Sequence, residues 1–217
     1  MKTAIIAGAT GLIGAHLLEA LLKNEKFEKV KILVRKPLKK KHPKLEEYII
    51  DFDRIGNYTD IMAADYAFCC LGTTIKNAGS QDAFYKVDFT YVTEFAKFAQ
   101  AQGSQEFCLV SAMGADAKSF IFYNRVKGEV EHTVKAVPFR AVHILRPSLL
   151  LGDRTENRLG EAFGKKLNKW LNPIIPPKYK GIEAKTVAKA MEHLSSRTNE
   201  GVYVYFSDVI QKMGEVT

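Results

Sequence analysis

The chain has 217 residues, of which 47% are hydrophobic and 26% are charged, and its 32 basic against 24 acidic residues give a formal net charge of +8. These values are typical of one globular domain that is large enough to bury a core, and they exclude a disordered or fibrous chain. No apolar run approaches the roughly 18 residues that a membrane-spanning helix needs. The excess positive charge fits an anionic partner, namely nucleic acid, an acidic membrane or a phosphorylated small molecule, without choosing among them.

Apolar runs with the length of strands alternate with helical periodicity along most of the chain. In chain order we predict a strand at 3–8, a helix at 11–23, strands at 29–36, 46–52 and 65–72, a helix at 80–101, a strand at 106–112, a helix at 119–136, a strand at 139–147, helices at 157–171 and 183–195, and a strand at 201–206 before a short tail. Continuously apolar strands separated by amphipathic helices are typical of a parallel sheet covered on both faces. The sequence therefore predicts an α/β fold with a doubly wound parallel sheet, the Rossmann fold, and a small C-terminal excursion.

Three glycines stand between the first predicted strand and the first predicted helix. Gly8, Gly11 and Gly14 follow each other at intervals of three in GATGLIG. A tight turn, a close approach to a pyrophosphate and a close helix–strand contact each exclude a Cβ, and the amides at the helix N-terminus would face the phosphates. This context predicts a dinucleotide site, with an ordinary glycine turn as the alternative. The other residues assigned to the turn are Thr10, Leu12 and Ile13.

The end of the second predicted strand bears on the choice of cofactor. About 20 residues beyond the glycine turn, an acidic residue normally accepts hydrogen bonds from the adenosine ribose. The sequence there reads LVRK, with Arg35 and Lys36 and no carboxylate. A guanidinium can bind a 2′-phosphate with its planar donor fork, and a lysine adds charge. The pattern favours NADP(H) over NAD(H); basic residues that simply meet water at a strand end are the alternative.

A tyrosine and a lysine stand four residues apart on the helix predicted after the fifth strand. Tyr123 and Lys127, in YNRVK, would project from one helical face. Ser111 ends the fifth strand, and the carboxyl ends of parallel strands are where a doubly wound fold places its ligand. These three side chains are therefore expected to meet opposite the glycine turn. The alternative is an exposed Tyr–Lys pair and a strand-end serine without catalytic function.

Taken together, these features resemble the short-chain dehydrogenase/reductase superfamily over residues 1–152. More specifically, the chain is similar to the atypical branch that contains the Tat-interacting oxidoreductase-like proteins. The motifs that carry the resemblance are the opening GATGLIG, CLGTT at 70–74, YKVDFTYV at 85–92, SAMGAD at 111–116, YNRVKGEVE at 123–131 and LRPSLLLGDR at 145–154.

The resemblance implies an oxidoreductase that uses NADP(H) to transfer a hydride to or from a small carbonyl or alcohol. Lys127 would hold the nicotinamide ribose and assist Tyr123, which would exchange a proton with the substrate oxygen. Ser111 would hydrogen-bond that same oxygen. An NADP(H)-binding regulator with little or no turnover is the alternative function. A sugar-nucleotide epimerase ranks lower because such enzymes carry a larger C-terminal domain, and nucleic-acid binding, which rests on charge alone, ranks last.

The resemblance also implies further cofactor contacts. They are Asp51 and Phe52 at the adenine, Leu71, Gly72 and Thr73 along the adenosine ribose, and Arg146, Pro147 and Ser148 at the nicotinamide amide. One departure concerns Asp88, where many relatives carry asparagine. An aspartate in place of the asparagine puts in doubt that a proton-relay water is bound at this position. It does not affect the expectation for Ser111, Tyr123 and Lys127.

The remaining expectations concern the chain as a whole. We expect a single domain over 1–217, with a dinucleotide-binding core at 1–152 and a substrate-side segment with the last helix and strand at 153–217. Cys69, Cys70 and Cys108 are odd in number and lie in strand-like runs, so they predict reduced thiols and a cytoplasmic protein. The five histidines lack metal-ligand spacing, so no metal is expected.

Two surfaces suggest partners. The helix predicted at 80–101 is apolar on more than one side, and a helix of this kind is buried twice. Because the sheet covers only one side, a homodimer is one hypothesis for the other. The basic run at 36–44 is either a solvated loop or a surface that attracts an anionic cofactor.

Overall fold

Strands and helices alternate along the chain in the computed structural model, which describes residues 1–152, 176–197 and 200–215. The strands are β1 (Lys2–Ala7), β2 (Phe27–Val34), β3 (Leu45–Ile49), β4 (Tyr66–Cys69), β5 (Glu106–Val110), β6 (Ala141–Arg146), β7 (Leu150–Leu151), β8 (Ile182–Glu183) and β9 (Gly201–Phe206). The α-helices are α1 (Leu12–Lys23), α2 (Ile75–Ala78), α3 (Gln81–Tyr85), α4 (Tyr91–Ala101), α5 (Phe122–Lys135), α6 (Ala184–Leu194) and α7 (Ser207–Glu215). The predicted helix at 157–171 lies outside the described residues.

Within the described part of the chain, one parallel sheet has the strand order β3-β2-β1-β4-β5-β6-β9. The chain builds outward from β1 in one direction and then outward from β4 in the other. The order therefore reverses between β1 and β4, and a crevice for a ligand opens where their carboxyl ends diverge. This topology confirms the predicted doubly wound sheet.

The core lies in two layers, one on each face of the sheet. Alternate residues of β1 enter different layers, because successive strand side chains point to opposite faces. Ile6 packs with the residues of α1 and α6, whereas Ile5 packs with those of α4 and α5. The continuous apolar runs are thus explained by burial on both faces.

The helix predicted at 80–101 is interrupted. A π-helical turn (Lys86–Thr90) joins α3 to α4, and it places Asp88 in the interior with no exposed surface. The second apolar side of α4 is covered within the chain by a 3-10 segment (Phe52–Ile61). The rings of Phe52 and Tyr91 lie 5.5 Å apart across this contact. These apolar residues therefore have partners within the chain, and the homodimer no longer follows from them.

The tail expected after the last strand is instead helix α7. Its first residue, Ser207, accepts a hydrogen bond from the backbone amide of Ser148 at 2.7 Å, and Ile210 and Met213 are buried. Gly214 lies so close to Thr186 of α6 that a Cβ would overlap its carbonyl oxygen. A short amphipathic segment with one close-packed glycine gave too little periodic signal to be recognised as a helix.

The three cysteines are unpaired thiols. Burial raises the pKa of Cys69 to about 12 and holds the pKa values of Cys70 and Cys108 well above the ordinary value. Among the described helices, none combines the length and apolar character that crossing a membrane requires. The same part of the chain contains no cluster of three or more His, Cys, Asp or Glu side chains arranged to bind a metal.

A buried polar group lies at the end of the sheet away from the crevice. The ring Nε2 of His143 is 4.0 Å from Oε2 of Glu106, and its Nδ1 is 3.1 Å from the hydroxyl of Tyr205. Burial, assisted by the charge of Arg197, lowers the pKa of His143 to about 4. Burial raises the pKa of Glu106, against the opposing charge of Arg140.

The protein is expected to lose stability as the pH falls from the ordinary histidine range toward pH 4. In that window the unfolded chain binds a proton at His143 that the folded chain excludes, so lowering the pH favours unfolding. The Glu106 contribution has the opposite sign, because its raised pKa stabilises the folded state at low pH. In His143→Gln, the loss of unfolding free energy between about pH 7 and about pH 4.5 should shrink by about 2 kcal/mol, measured by urea denaturation. The exposed His132→Gln is the control, and an equal pH slope in both variants would contradict the assignment.

Candidate functional site

The turn between β1 and α1 has the geometry of a cradle that only glycine can form. Gly8 has φ +89°, and a Cβ on it would lie 2.5 Å from the carbonyl carbon of Cys70. A Cβ on Gly14 would overlap the carbonyl oxygen of Gly8. Gly11 caps α1 without a side-chain hydrogen bond, and the first turn holds no acidic residue. The amides at this helix N-terminus are therefore available to an anion, which is the arrangement that a dinucleotide pyrophosphate fits.

The other predicted residues of the turn differ in exposure. Thr10 is exposed, Leu12 is partly buried, and Ile13 is buried in the core beneath α1. The buried Ile13 side chain fixes the helix against the sheet, so this residue can serve a bound phosphate through its backbone amide.

Arg35 and Lys36 extend into solvent directly after β2. Within residues 1–152, 176–197 and 200–215, neither side chain forms an ion pair. Both cations are therefore available to an anionic group near the end of β2.

The two residues predicted to contact the adenine also form contacts within the protein. Asp51 caps the 3-10 segment by accepting a hydrogen bond from the amide of Asp53 at 3.0 Å. Phe52 is buried against Tyr91. The exposed Asp51 carboxylate lies at the surface after β3, whereas the Phe52 side chain belongs to the core.

A continuous strip of backbone connects the glycine turn to Lys127. Gly8 packs against Cys70 and Leu71, as its contacts with their backbone atoms show. Two residues beyond Cys70, a Cβ on Gly72 would lie 3.7 Å from Nζ of Lys127. The loop after β4 thus runs from the phosphate cradle to the candidate catalytic lysine.

Lys127 forms a buried ion pair with Asp88. Its Nζ lies 2.7 Å from Oδ1, and the side chains are 6% and 0% exposed. The amide of Thr73 donates to the other carboxylate oxygen at 2.8 Å. Burial lowers the pKa of Lys127, but the charge of Asp88, with a contribution from Tyr123, more than offsets this and raises it overall. The lysine is therefore held as a cation beside the crevice.

Tyr123 lies one helical turn before Lys127 on the same side of α5, close enough to contribute to its electrostatic environment. The Tyr123 ring packs at 5.6 Å from the ring of Phe84, which has no exposed surface. Phe122 contacts the same phenylalanine at 5.8 Å. This aromatic cluster restrains the tyrosine that the sequence places in a catalytic role.

The loop between β5 and α5 lies directly on the helix. A Cβ on Gly128 would overlap the backbone of Ala117 and Asp116, so glycine is required for this contact. At the far end of the loop, Phe120 is fully exposed and Ile121 is 62% exposed. The middle of the loop is thus fixed against α5, while the two residues just before the helix present apolar side chains to solvent.

Ser111 is buried at the end of β5 and uses its hydroxyl within the protein. The hydroxyl donates to Oε1 of Glu131 at 2.5 Å. Arg146 donates to both oxygens of the same carboxylate, from Nε at 2.8 Å and from Nη2 at 2.6 Å. The side chain of Arg146 therefore anchors the end of β6 to α5.

The backbone after Arg146 is also engaged. The Pro147 carbonyl accepts from the amide of Met113 at 3.0 Å, and the Ser148 amide donates to Ser207. Two of the polar groups expected to meet the nicotinamide amide thus bond within the protein in this structure.

The structure brings together the glycine turn, the loop after β4 and the helix that carries Tyr123 and Lys127. Ser111, at the end of β5, is joined to the same helix by its hydrogen bond to Glu131. Sequence reasoning missed Glu131, Phe84 and the pairing of Asp88 with Lys127. Glu131 carried a usable signal, because its position four residues after Lys127 puts it on the same helical face. Phe84 was recognisable as an apolar helix residue but not as the neighbour of Tyr123, which depends on a tertiary contact. Asp88 carried no signal, because the π-helical turn sets its direction.

Comparisons with known proteins agree with this architecture. The model of a family described as NAD(P)H-binding matches residues 8–169. Protein HTATIP2 of Rattus norvegicus is 38% identical over 169 residues, covering 76% of this chain and 69% of the relative. The mitochondrial protein FMP52 of Debaryomyces hansenii is 32% identical over 205 residues, covering 89% of this chain and 88% of the relative.

A solved structure shows the same fold. The Bordetella bronchiseptica enzyme WbmH in complex with NAD+ superposes with a TM-score of 0.72, covering 99% of this chain and 79% of that chain. Sequence identity is 16%, so this likeness concerns the fold alone.

The expected cytoplasmic location is wrong, because the fungal relatives are named mitochondrial proteins. Reduced cysteines argue only against an oxidising compartment, and they do not distinguish one reducing compartment from another.

The glycine cradle, the Tyr–Lys helix and these matches lead to one assignment: the chain belongs to the NAD(P)H-binding family, as an atypical short-chain dehydrogenase/reductase of the group that includes HTATIP2 and FMP52.

Proposed function

We propose that this protein is an NADP(H)-dependent oxidoreductase that acts on a small carbonyl or alcohol. The observation that carries the proposal is the continuous strip from Gly8 through Leu71 and Gly72 to Lys127. It joins a phosphate cradle to a buried cation that has a tyrosine one helical turn away. A dinucleotide lying along this strip would have its pyrophosphate at α1 and its nicotinamide near Tyr123 and Lys127.

The residues present fit such a cofactor. A Cβ at Gly8 or Gly14 would collide with neighbouring backbone and distort the turn, and the uncapped helix N-terminus offers amides to the phosphates. When bound, the nicotinamide supplies a hydride to a carbonyl carbon or accepts one from an alcohol carbon.

The side chains would handle the proton that accompanies the hydride. In the reductive direction Tyr123 gives its phenol hydrogen to the carbonyl oxygen, and the resulting phenolate recovers a proton from solvent. The cationic Lys127 stabilises negative charge on the phenolate and hydrogen-bonds the ribose. Ser111 contacts the substrate oxygen and orients it.

One observation favours a second candidate function, that of an NADP(H)-binding regulator with little turnover. Lys127 and Ser111 already have partners within the protein, Asp88 and Glu131. A chain that only senses the cofactor needs no rearrangement of either contact. Tight NADPH binding without turnover across a broad panel of carbonyls and alcohols would favour this candidate.

Substitution of Gly14 by alanine should weaken NADPH binding at least about tenfold, or about 1.4 kcal/mol, because the new Cβ displaces the turn that faces the pyrophosphate. The affinity is measured by fluorescence titration. Gly103→Ala is the control for general destabilisation: it strains a glycine at positive φ (95°) in a turn where a Cβ would meet nothing within 4 Å. Equal affinity losses in the two variants would indicate general destabilisation and contradict the assignment.

Arg35→Ala should abolish a preference for NADPH over NADH. A charge-assisted hydrogen bond contributes about 1.5–3 kcal/mol, so NADPH affinity should fall about tenfold or more while NADH affinity stays unchanged. Lys41→Ala, in the same basic loop, controls for general charge attraction. A parent protein that binds both nucleotides equally would refute the NADP(H) assignment.

Tyr123→Phe should lower turnover with NADPH by at least about a hundredfold, because the proton donor is lost. NADPH affinity should stay within about twofold, since the ring packing against Phe84 is retained. The control is Tyr203→Phe, whose hydroxyl bonds the Glu200 carbonyl at the far edge of the sheet. Full activity in Tyr123→Phe would exclude this tyrosine as the acid.

A further inference from the structure

Ser111, Glu131 and Arg146 form a hydrogen-bonded group that joins the ends of β5 and β6 to the middle of α5. Ser111 is 5% exposed and Glu131 is 1% exposed. The Arg146 side chain retains 20% exposure while donating to both carboxylate oxygens. The ammonium of Lys135 is 3.7 Å from Oε2, so a second cation faces the same carboxylate.

The number of hydrogens in this group determines what Ser111 can offer to a ligand. A serine hydroxyl has one hydrogen and two lone pairs, and an ionised carboxylate only accepts. The Ser111 hydrogen is directed to Glu131, and the fork of Arg146 prevents the carboxylate from turning away. The serine oxygen therefore presents only lone pairs to any further partner.

We propose that Glu131 is a positioning residue for Ser111, which fixes the serine rotamer and holds its hydrogen so that the oxygen faces the crevice as an acceptor. This inference rests on the proposed function, because it concerns the serine that would contact the substrate oxygen. A substrate hydroxyl can donate to Ser111 in this arrangement. For Ser111 to donate to a carbonyl oxygen instead, it must first give up a charge-assisted hydrogen bond.

The experiment replaces the serine with a thiol that reports the neighbouring charge. In Ser111→Cys, the alkylation rate by iodoacetamide follows the thiolate fraction, and peptide mass spectrometry separates this thiol from the three native cysteines. Loss of the adjacent carboxylate in Ser111→Cys/Glu131→Gln should lower the midpoint pH of alkylation by about one unit. Below the midpoint, this shift raises the rate about tenfold.

Ser111→Cys/Glu129→Gln is the matched control, since Glu129 lies on the same helix and is partly exposed toward Arg125. Its midpoint should not move. Should Glu131→Gln fail to fold, Glu131→Asp keeps the charge but withdraws it from residue 111, and the midpoint should fall by less than one unit. An unchanged midpoint in the folded Glu131 variant, or an equal shift with Glu129→Gln, would overturn the proposal.

NADPH titration separates this test from that of the proposed function. Glu131→Gln with native Ser111 should still bind NADPH, since Glu131 contacts Ser111 and Arg146 and not the phosphate cradle at α1. A parent protein that does not bind NADPH would refute the proposed function, whereas the alkylation midpoints would still report on the contact between residues 111 and 131.

Discussion

The buried ion pair between Lys127 and Asp88 is the interaction on which the crevice depends. It joins α5 to the π-helical turn. The Thr73 amide donates to the same carboxylate, so the loop after β4 is held at this point as well. Burying two charges is costly unless they are close and further hydrogen-bonded, and removal of one partner from such a pair typically costs about 3–5 kcal/mol. The hydrogen bond from the Thr73 amide supplies such an additional contact to Asp88. The ion pair therefore fixes both the position of Lys127 and the loop along which a dinucleotide would lie.

Much of the fold could be predicted from the sequence because its signals are local. Buried parallel strands are continuously apolar, as in β4, and the glycines of the first turn stand where strand changes to helix. The interruption at 86–90 could not be predicted, because the residues of the π-helical turn have no distinct pattern. For the same reason the sequence did not predict that Asp88 pairs with Lys127, because the π-helical turn is what places Asp88 in the interior.

The candidate site was predictable in its residue types but not in its hydrogen bonds. Ser111, Tyr123 and Lys127 could be selected from order and element, whereas their partners depend on tertiary contacts between distant segments. Ser148 illustrates the limit: its amide bonds to Ser207, 59 residues later, in a helix that the sequence did not indicate. Fold similarity does not supply the missing chemistry either, because a solved structure at 16% identity shares the backbone arrangement without defining a substrate.

The contact between Gly128 and the loop after β5 distinguishes positions where a substitution is sterically blocked from positions where it is not. In the middle of the loop, any side chain on this helix residue would collide with the backbone of Ala117, so the loop and helix α5 must change together. Just before the helix, Phe120 and Ile121 lie outside the packed interior and can be exchanged without disturbing the sheet. Divergence among homologues is therefore expected to be tolerated at the exposed apolar side chains and resisted at the glycine contact.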